Sequence, residues 1–299
     1  MTTQAALGLN FVRILRQLKL KMNREFLSDK HMKVIYHAGF PYQAFNGKGQ
    51  INPWSIVTMV EVCRSGSFNR LTPSDHTFLD MDKLYEQNLV FIVATTTKIS
   101  PSFYDHALPK APVEMHSELI HVGKTSFTQR TSLYFEGSDL PVCENETQSV
   151  LVDVATRKPN QPPDWWRKKY DVDLEGEQPL KIPRHVVPES GVLSKNQIQI
   201  KASDLDVYWH TNWSNYVKFS YDAFVDFAIK KHGPSNIPRA FRKCKNFSVL
   251  YMKEANLMDT VDICMWKDFD NSNLFKFQFC NKSSDVISES QLEFYPPDE

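Results

Sequence analysis

The chain has 299 residues, with 35 basic and 35 acidic side chains and a formal net charge of zero. That balance makes no electrostatic claim on nucleic acid, and no apolar run approaches the roughly 20 residues of a membrane span. Cys63, Cys143, Cys244, Cys264 and Cys280 include no Cys-x-x-Cys pair, so they read as reduced thiols of a cytoplasm-like compartment, with neither a disulfide framework nor a zinc site.

Residues 1 to 24 carry Arg13, Arg16, Lys19, Lys21 and Arg24, and no acid precedes Glu25. Leu9, Val12, Leu15 and Leu18 fall on one helical stripe. A basic amphipathic helix docked on the domain is the first reading; a mitochondrial presequence or a membrane-surface helix is the alternative. The expected location is therefore cytoplasmic, with the mitochondrion as second choice.

Met32 to His37 reads as a short strand, and a helix is predicted to begin at Pro53, where the missing N–H costs nothing. Strands follow around 89–99, 113–122, 126–135 and 147–153, rich in Val, Thr, Phe and Tyr. Residues 159–191 then gather six prolines (Pro159, Pro162, Pro163, Pro179, Pro183 and Pro188) among charged residues. Proline disfavours helix in the residue before it, so this stretch is expected to be an extended linker pinned by Trp165 and Trp166. The expected division is 1–158, linker 159–191, and 192–299.

The second part opens with a strand near 198–201. An apolar helix over 215–231 follows, with Tyr216, Phe219, Ala223, Phe224, Phe227 and Ala228 at three- and four-residue spacing. Further aromatic and β-branched residues lie on its other faces, so burial nearly all round is expected. Strands are predicted near 245–253, 260–266, 274–281 and 286–294.

The segment leading into that helix, Asp204-Leu-Asp206-Val-Tyr208-Trp209-His210-Thr-Asn212-Trp213-Ser214-Asn215-Tyr216, crowds acid, imidazole and amide groups against a helix start. The first N–H groups of a helix lack internal partners and favour anionic or carbonyl oxygen. Asp206, His210, Asn212 and Tyr216 resemble the signature of hotdog-fold acyl thioesterases: Asp four before His, Asn two after it, an aromatic six after it. A second segment, Tyr251-Met-Lys-Glu254, with Asp259-Thr-Val beyond it, is similar to the strand that brings a glutamate to this site in plant-type acyl-carrier-protein thioesterases.

The resemblance implies an α+β chain folded as a tandem hotdog, each unit an antiparallel sheet wrapped around one long central helix. It implies hydrolysis of an acyl thioester at a single site in the second unit, because the first unit's corresponding loop, Phe40 to Asn52, has no carboxylate or imidazole. That loop reads as shaping a pocket or accepting a pantetheine arm. The expected catalytic residues are Glu254 as general base for water, His210 orienting water or substrate, and Asp206 holding the histidine or acting as nucleophile. Tyr208, Trp209, Asn212, Trp213, Ser214 and Asn215 are the expected substrate contacts, with a backbone N–H at Trp213 or Ser214 facing the oxyanion.

Two departures from the family pattern bear on catalysis. Tyr208 stands where plant-type enzymes have Asn, and Trp209 stands where many relatives have Gly. Fatty acyl-CoA is the favoured substrate over acyl-carrier protein; no cofactor or metal is expected, and a homodimer is left open. The competing expectation is a hotdog protein that holds a fatty acyl group or acyl-CoA without turning it over.

Overall fold

A computed structural model describes residues 22–70, 76–172, 174, 178–206 and 208–297. The expected N-terminal helix lies outside the described residues except for Met22–Arg24, which open a strand, β1 (Met22–Ser28). The contacts divide the chain into two compact units assembled from discontinuous segments. The first comprises the described part of Met1–Pro41 with Thr58–Thr95 and Asp105–Lys181; the second comprises Tyr42–Val57, Thr96–Tyr104 and Ile182–Glu299.

In the first unit the strands are β1, β2 (His31–Tyr36), β3 (Asn88–Ile99, of which residues up to Thr95 belong here), β4 (Val113–Val122), β5 (Ser126–Phe135) and β6 (Cys143–Asp153). Their order in the sheet is β1-β2-β4-β5-β6-β3. Alternation sets which face is covered: Val113, Met115 and Ser117 are buried, and Glu114, His116 and Glu118 between them are half-exposed. Helix α1 (Pro53–Phe68) starts at the predicted proline, and Met59, Val60, Cys63 and Phe68 from it are buried.

The proline-rich stretch departs from the expectation. It contains a two-turn helix, α2 (Asp164–Tyr170), because Pro163 and Asp164 start a helix well and Arg167 pairs with Asp171 one turn on, at 2.7 Å. Trp166 is fully buried, donating from Nε1 to the Leu79 carbonyl at 2.8 Å, while Trp165 stays exposed. The two tryptophans therefore face opposite environments. Tyr170 and Lys169 reach Asp80 at 2.9 and 3.0 Å, fastening α2 to the first unit.

In the second unit the sheet order is β8-β11-β10-β9-β7, with residues 96–99 of β3 beside β8. The strands are β7 (Val192–Gln199), β8 (Cys244–Tyr251), β9 (Thr260–Lys267), β10 (Leu274–Cys280) and β11 (Val286–Phe294). Helix α3 (Trp213–His232) packs on this sheet. Phe224 stacks on Phe294 with ring centroids 4.3 Å apart, and the Ser220 and Ser290 hydroxyls meet at 2.6 Å. Burial is not all round: Asp222 and Asp226 are exposed, so α3 keeps one wet edge. The extended segment before β7 is anchored by Arg184, whose guanidinium reaches the buried carboxylate of Glu289 at 3.0 Å, and by the His185 N–H to the same oxygen at 2.9 Å.

Two loops of the second unit repeat one another at an offset of 160 residues. Before α1, Phe45 bridges Ile51, Asn46 N–H donates to the Gln50 carbonyl (2.8 Å), and Gly49 N–H to the Asn46 carbonyl (2.9 Å). Before α3, Leu205 bridges Thr211, Asp206 N–H donates to the His210 carbonyl (2.8 Å), and Trp209 N–H to the Asp206 carbonyl (3.1 Å). Asn52 N–H reaches the Ala44 carbonyl as Asn212 N–H reaches that of Asp204, both at 2.8 Å.

Candidate active site

The loop over 204–212 is built by short polar side chains that satisfy its own backbone. Asp204 is buried; its Oδ2 accepts the Lys201 N–H (2.8 Å), and its carbonyl accepts from Asn212 N–H and Asn215 Nδ2, each at 2.8 Å. Asp206 Oδ1 accepts the N–H groups of Tyr208 (2.8 Å) and His210 (3.3 Å), an Asx-type turn. The carboxylate thus holds the histidine by its main chain. Trp209 completes the turn at φ +67°.

The loop is carried to the far segment by Thr211. Its N–H and its hydroxyl both donate to the Ala255 carbonyl, at 3.0 and 2.8 Å, and His210 forms an isolated antiparallel bridge with Asn256. Glu254 lies three residues beyond the end of β8, in the connection to β9, and not on the strand itself. It leaves the strand because the Met252 and Lys253 N–H groups both turn to the Ile287 carbonyl, at 3.0 and 3.1 Å. The result is a contact between groups 44 residues apart (210 and 254): His210 Nε2 stands 3.2 Å from Glu254 Oε2. Both side chains remain open to solvent, 29% and 53% exposed, so water reaches the pair.

Behind the pair stands an aromatic wall. Tyr251 donates its hydroxyl to the Trp213 carbonyl at 3.0 Å, and its ring meets those of Tyr216 and Trp213 at 5.5 and 6.5 Å. Burial pushes the Tyr216 phenol well above its ordinary range, with the charge of Glu254 adding to the effect. The phenol stays neutral beside the carboxylate. Tyr251 and Thr211 carry structural work that spacing alone did not reveal, although Tyr251 opens the Tyr-x-x-Glu string.

The expected substrate contacts fall into different environments. Tyr208 and Trp209 are exposed beside His210, at 43% and 66%. Trp213 is buried against Tyr251. Asn212 is the helix cap, its Oδ1 accepting the Ser214 N–H at 2.9 Å and the Ser214 hydroxyl at 2.7 Å. The Ser214 N–H is therefore engaged by the cap, so it does not stand free for an oxyanion. Asn215 holds Asp204, as described. Among the described residues no group of His, Cys, Asp and Glu could hold a metal ion, and no helix is long and apolar enough to cross a membrane.

The fold is the hotdog-like fold of acyl thioesterases. The chain is similar to the 12:0-ACP thioesterase from Umbellularia californica, at 12% identity and TM-score 0.65, covering 91% of this chain and 99% of that one. It is also similar to an acyl-ACP thioesterase from Bacteroides thetaiotaomicron, at 14% identity and TM-score 0.62, covering 90% and 100%. Residues 189–296, which hold β7, α3, the loop at 204–212 and Glu254, match the family model of the acyl-ACP thioesterase C-terminal domain. The family match is confined to these residues, and the two solved structures show the likeness of the fold. Among curated proteins none matches the chain by sequence.

Proposed function

We propose that the protein hydrolyses a fatty acyl thioester at one site, formed by His210 and Glu254 on the loops around the start of α3. The observation that carries this reading is the 3.2 Å approach of the two groups from distant segments. In it, Glu254 removes a proton from water oriented by the His210 imidazole. The resulting hydroxide attacks the thioester carbonyl, and collapse of the tetrahedral adduct expels the thiolate, which takes the proton back. Asp206 acts through the loop it shapes, as a positioning residue.

The order of elements supports a tandem hotdog: β2, α1 and β3 to β6 in 1–158, then β7, α3 and β8 to β11 in 192–299, joined by 159–191. The repeated loops before α1 and α3 belong to this reading, with the chemistry kept in the second. The sequence favours acyl-CoA as carrier, whereas the matched family and both neighbours are named for acyl-ACP. Both carriers present the same arm to the thioester, so the test uses both.

The test is release of free thiol from acyl-CoA and acyl-carrier protein of several chain lengths. Wild type is expected to turn over one of them, and His210→Ala and Glu254→Ala each to lose about two orders of magnitude or more in kcat. Tight binding of the acyl thioester with no thiol released would leave the binding alternative in place of hydrolysis.

A further inference from the structure

At the far end of β9, the extended segment before β7 and the β9–β10 hairpin face each other across an open groove of about 500 Å³, within the range of small-molecule sites. The near end of β9 adjoins the histidine loop: Asp259 accepts the Asn256 N–H at 2.8 Å, and Asn256 bridges His210. From Thr260 to Lys267 the strand runs roughly 23 Å, at about 3.3 Å per residue. The groove is therefore separate from the His210–Glu254 pair.

Both walls are fixed. On one side the His185 N–H is held by Glu289 at 2.9 Å, its Nε2 donates to the Ser290 carbonyl at 3.1 Å, and its ring meets Trp266 edge to face at 5.9 Å. On the other, Asp268 Oδ1 accepts the N–H groups of Asp270 and Asn271 at 3.1 and 3.0 Å, and the Asp268 N–H closes the hairpin on the Leu274 carbonyl at 2.9 Å. On these pinned segments Phe269 is 99% exposed and Val186 87%, and Pro188 and Trp266 line the same space. Single apolar side chains on a surface need no explanation, but two in one rigid groove offer area for an apolar ligand to cover.

Charge narrows the choice of ligand. Among the ionisable residues lining the groove, Lys276 spends its charge on Asp268 at 2.6 Å, which leaves Lys267 exposed and without an ion-pair partner among the described residues. One unspent cation suits one anion, whereas a polyphosphate calls for several. Glu189 and Asp270, exposed neighbours in the chain outside the lining, weigh by repulsion against a multiply charged ligand.

We propose that this groove is a second ligand site, which takes a long-chain monocarboxylate. Lys267 pairs the carboxylate, and Val186, Pro188, Trp266 and Phe269 cover the alkyl chain. The site needs neither a thioester nor its hydrolysis.

Calorimetric titration of the full chain with dodecanoate, with dodecanol as the uncharged comparator, tests this, and photolabelling with a diazirine-bearing dodecanoate maps the position. Label is expected on residues 186–191 and 266–272. Lys267→Met keeps most of the stem and removes the charge; it is expected to weaken dodecanoate at one class of site by about 10-fold and to leave dodecanol binding as in wild type. Phe269→Ser is expected to weaken both probes by about five-fold. Both side chains are exposed, so both variants are expected to melt as wild type does. Groove label in His210→Ala equal to that in wild type supports a site apart from hydrolysis. Wild-type affinity for dodecanoate in both groove variants, or label confined to the segments around His210 and Glu254, would overturn the proposal.

Discussion

Gly49 and Trp209 adopt the same left-handed backbone, at φ +71° and +67°, at matching places in two loops with matching hydrogen bonds. Glycine accepts this conformation freely, whereas a residue with a Cβ is strained there. Trp209 is largely exposed, so packing does little to offset the strain. Trp209→Gly is expected to be more stable than Trp209→Ala by about 0.5–1 kcal/mol, because both remove the ring and only glycine relieves the backbone. Urea unfolding of the two variants decides this, and equal midpoints would refute it.

Asn46 shapes its turn with a neutral amide oxygen in the place where Asp206 uses a carboxylate. Asp206→Asn is therefore expected to keep the loop and to retain thiol release within several-fold of wild type. If Asp206 were the nucleophile, the same change would abolish turnover. Steady-state kcat for the two proteins separates the cases.

Thr211 ties the histidine loop to the Glu254 segment through the Ala255 carbonyl. Thr211→Val keeps the shape and the backbone hydrogen bond but loses the hydroxyl donor, which costs about 1 kcal/mol. The looser loop lowers kcat more than it changes KM. Thr211→Ser restores the donor and is expected to recover both; failure of serine to rescue would mean that the hydroxyl does not position the pair.

Acid stability of the first unit depends on Asp80. Burial by itself would raise this carboxyl, but hydrogen bonds from Lys169, Lys83 and Tyr170 outweigh it and hold the group at about 2. A carboxyl depressed on folding stabilises the protein above its unfolded value near 4, and that stability is lost as pH falls toward the folded value. Allowing for solvent screening, the contribution is about 1 kcal/mol. Asp80→Asn is expected to be less stable than wild type at neutral pH and to converge with it as pH falls from about 4 to about 2. A constant difference from pH 7 to pH 2 would contradict this.

Most strands and the two long helices were legible because their signals are local. Alternation, β-branched runs and a proline at a helix start placed β4, β5, β11 and the start of α1 within a residue or two. The pairing of His210 with Glu254 followed from the family pattern, since nothing in periodicity brings residues 210 and 254 together. Helix α2 is masked in the sequence by its flanking prolines, although Asp164 in its first turn and Arg167, Lys168 and Lys169 in its last suit the helix dipole. The position of Glu254 past the end of β8 depends on two N–H groups sharing the Ile287 carbonyl, a tertiary effect without sequence signature. The engagement of Ser214 by Asn212 was foreseeable as capping chemistry, which competes with any oxyanion for the same N–H.

The paired loops before α1 and α3 also bear on evolvability. Each keeps its shape through main-chain bonds and one small polar residue, Asn46 or Asp206, so the side chain at 50 or 210 can be exchanged without redesigning the scaffold that presents it. A loop held in this way can exchange the chemistry it presents through one substitution while its architecture is preserved.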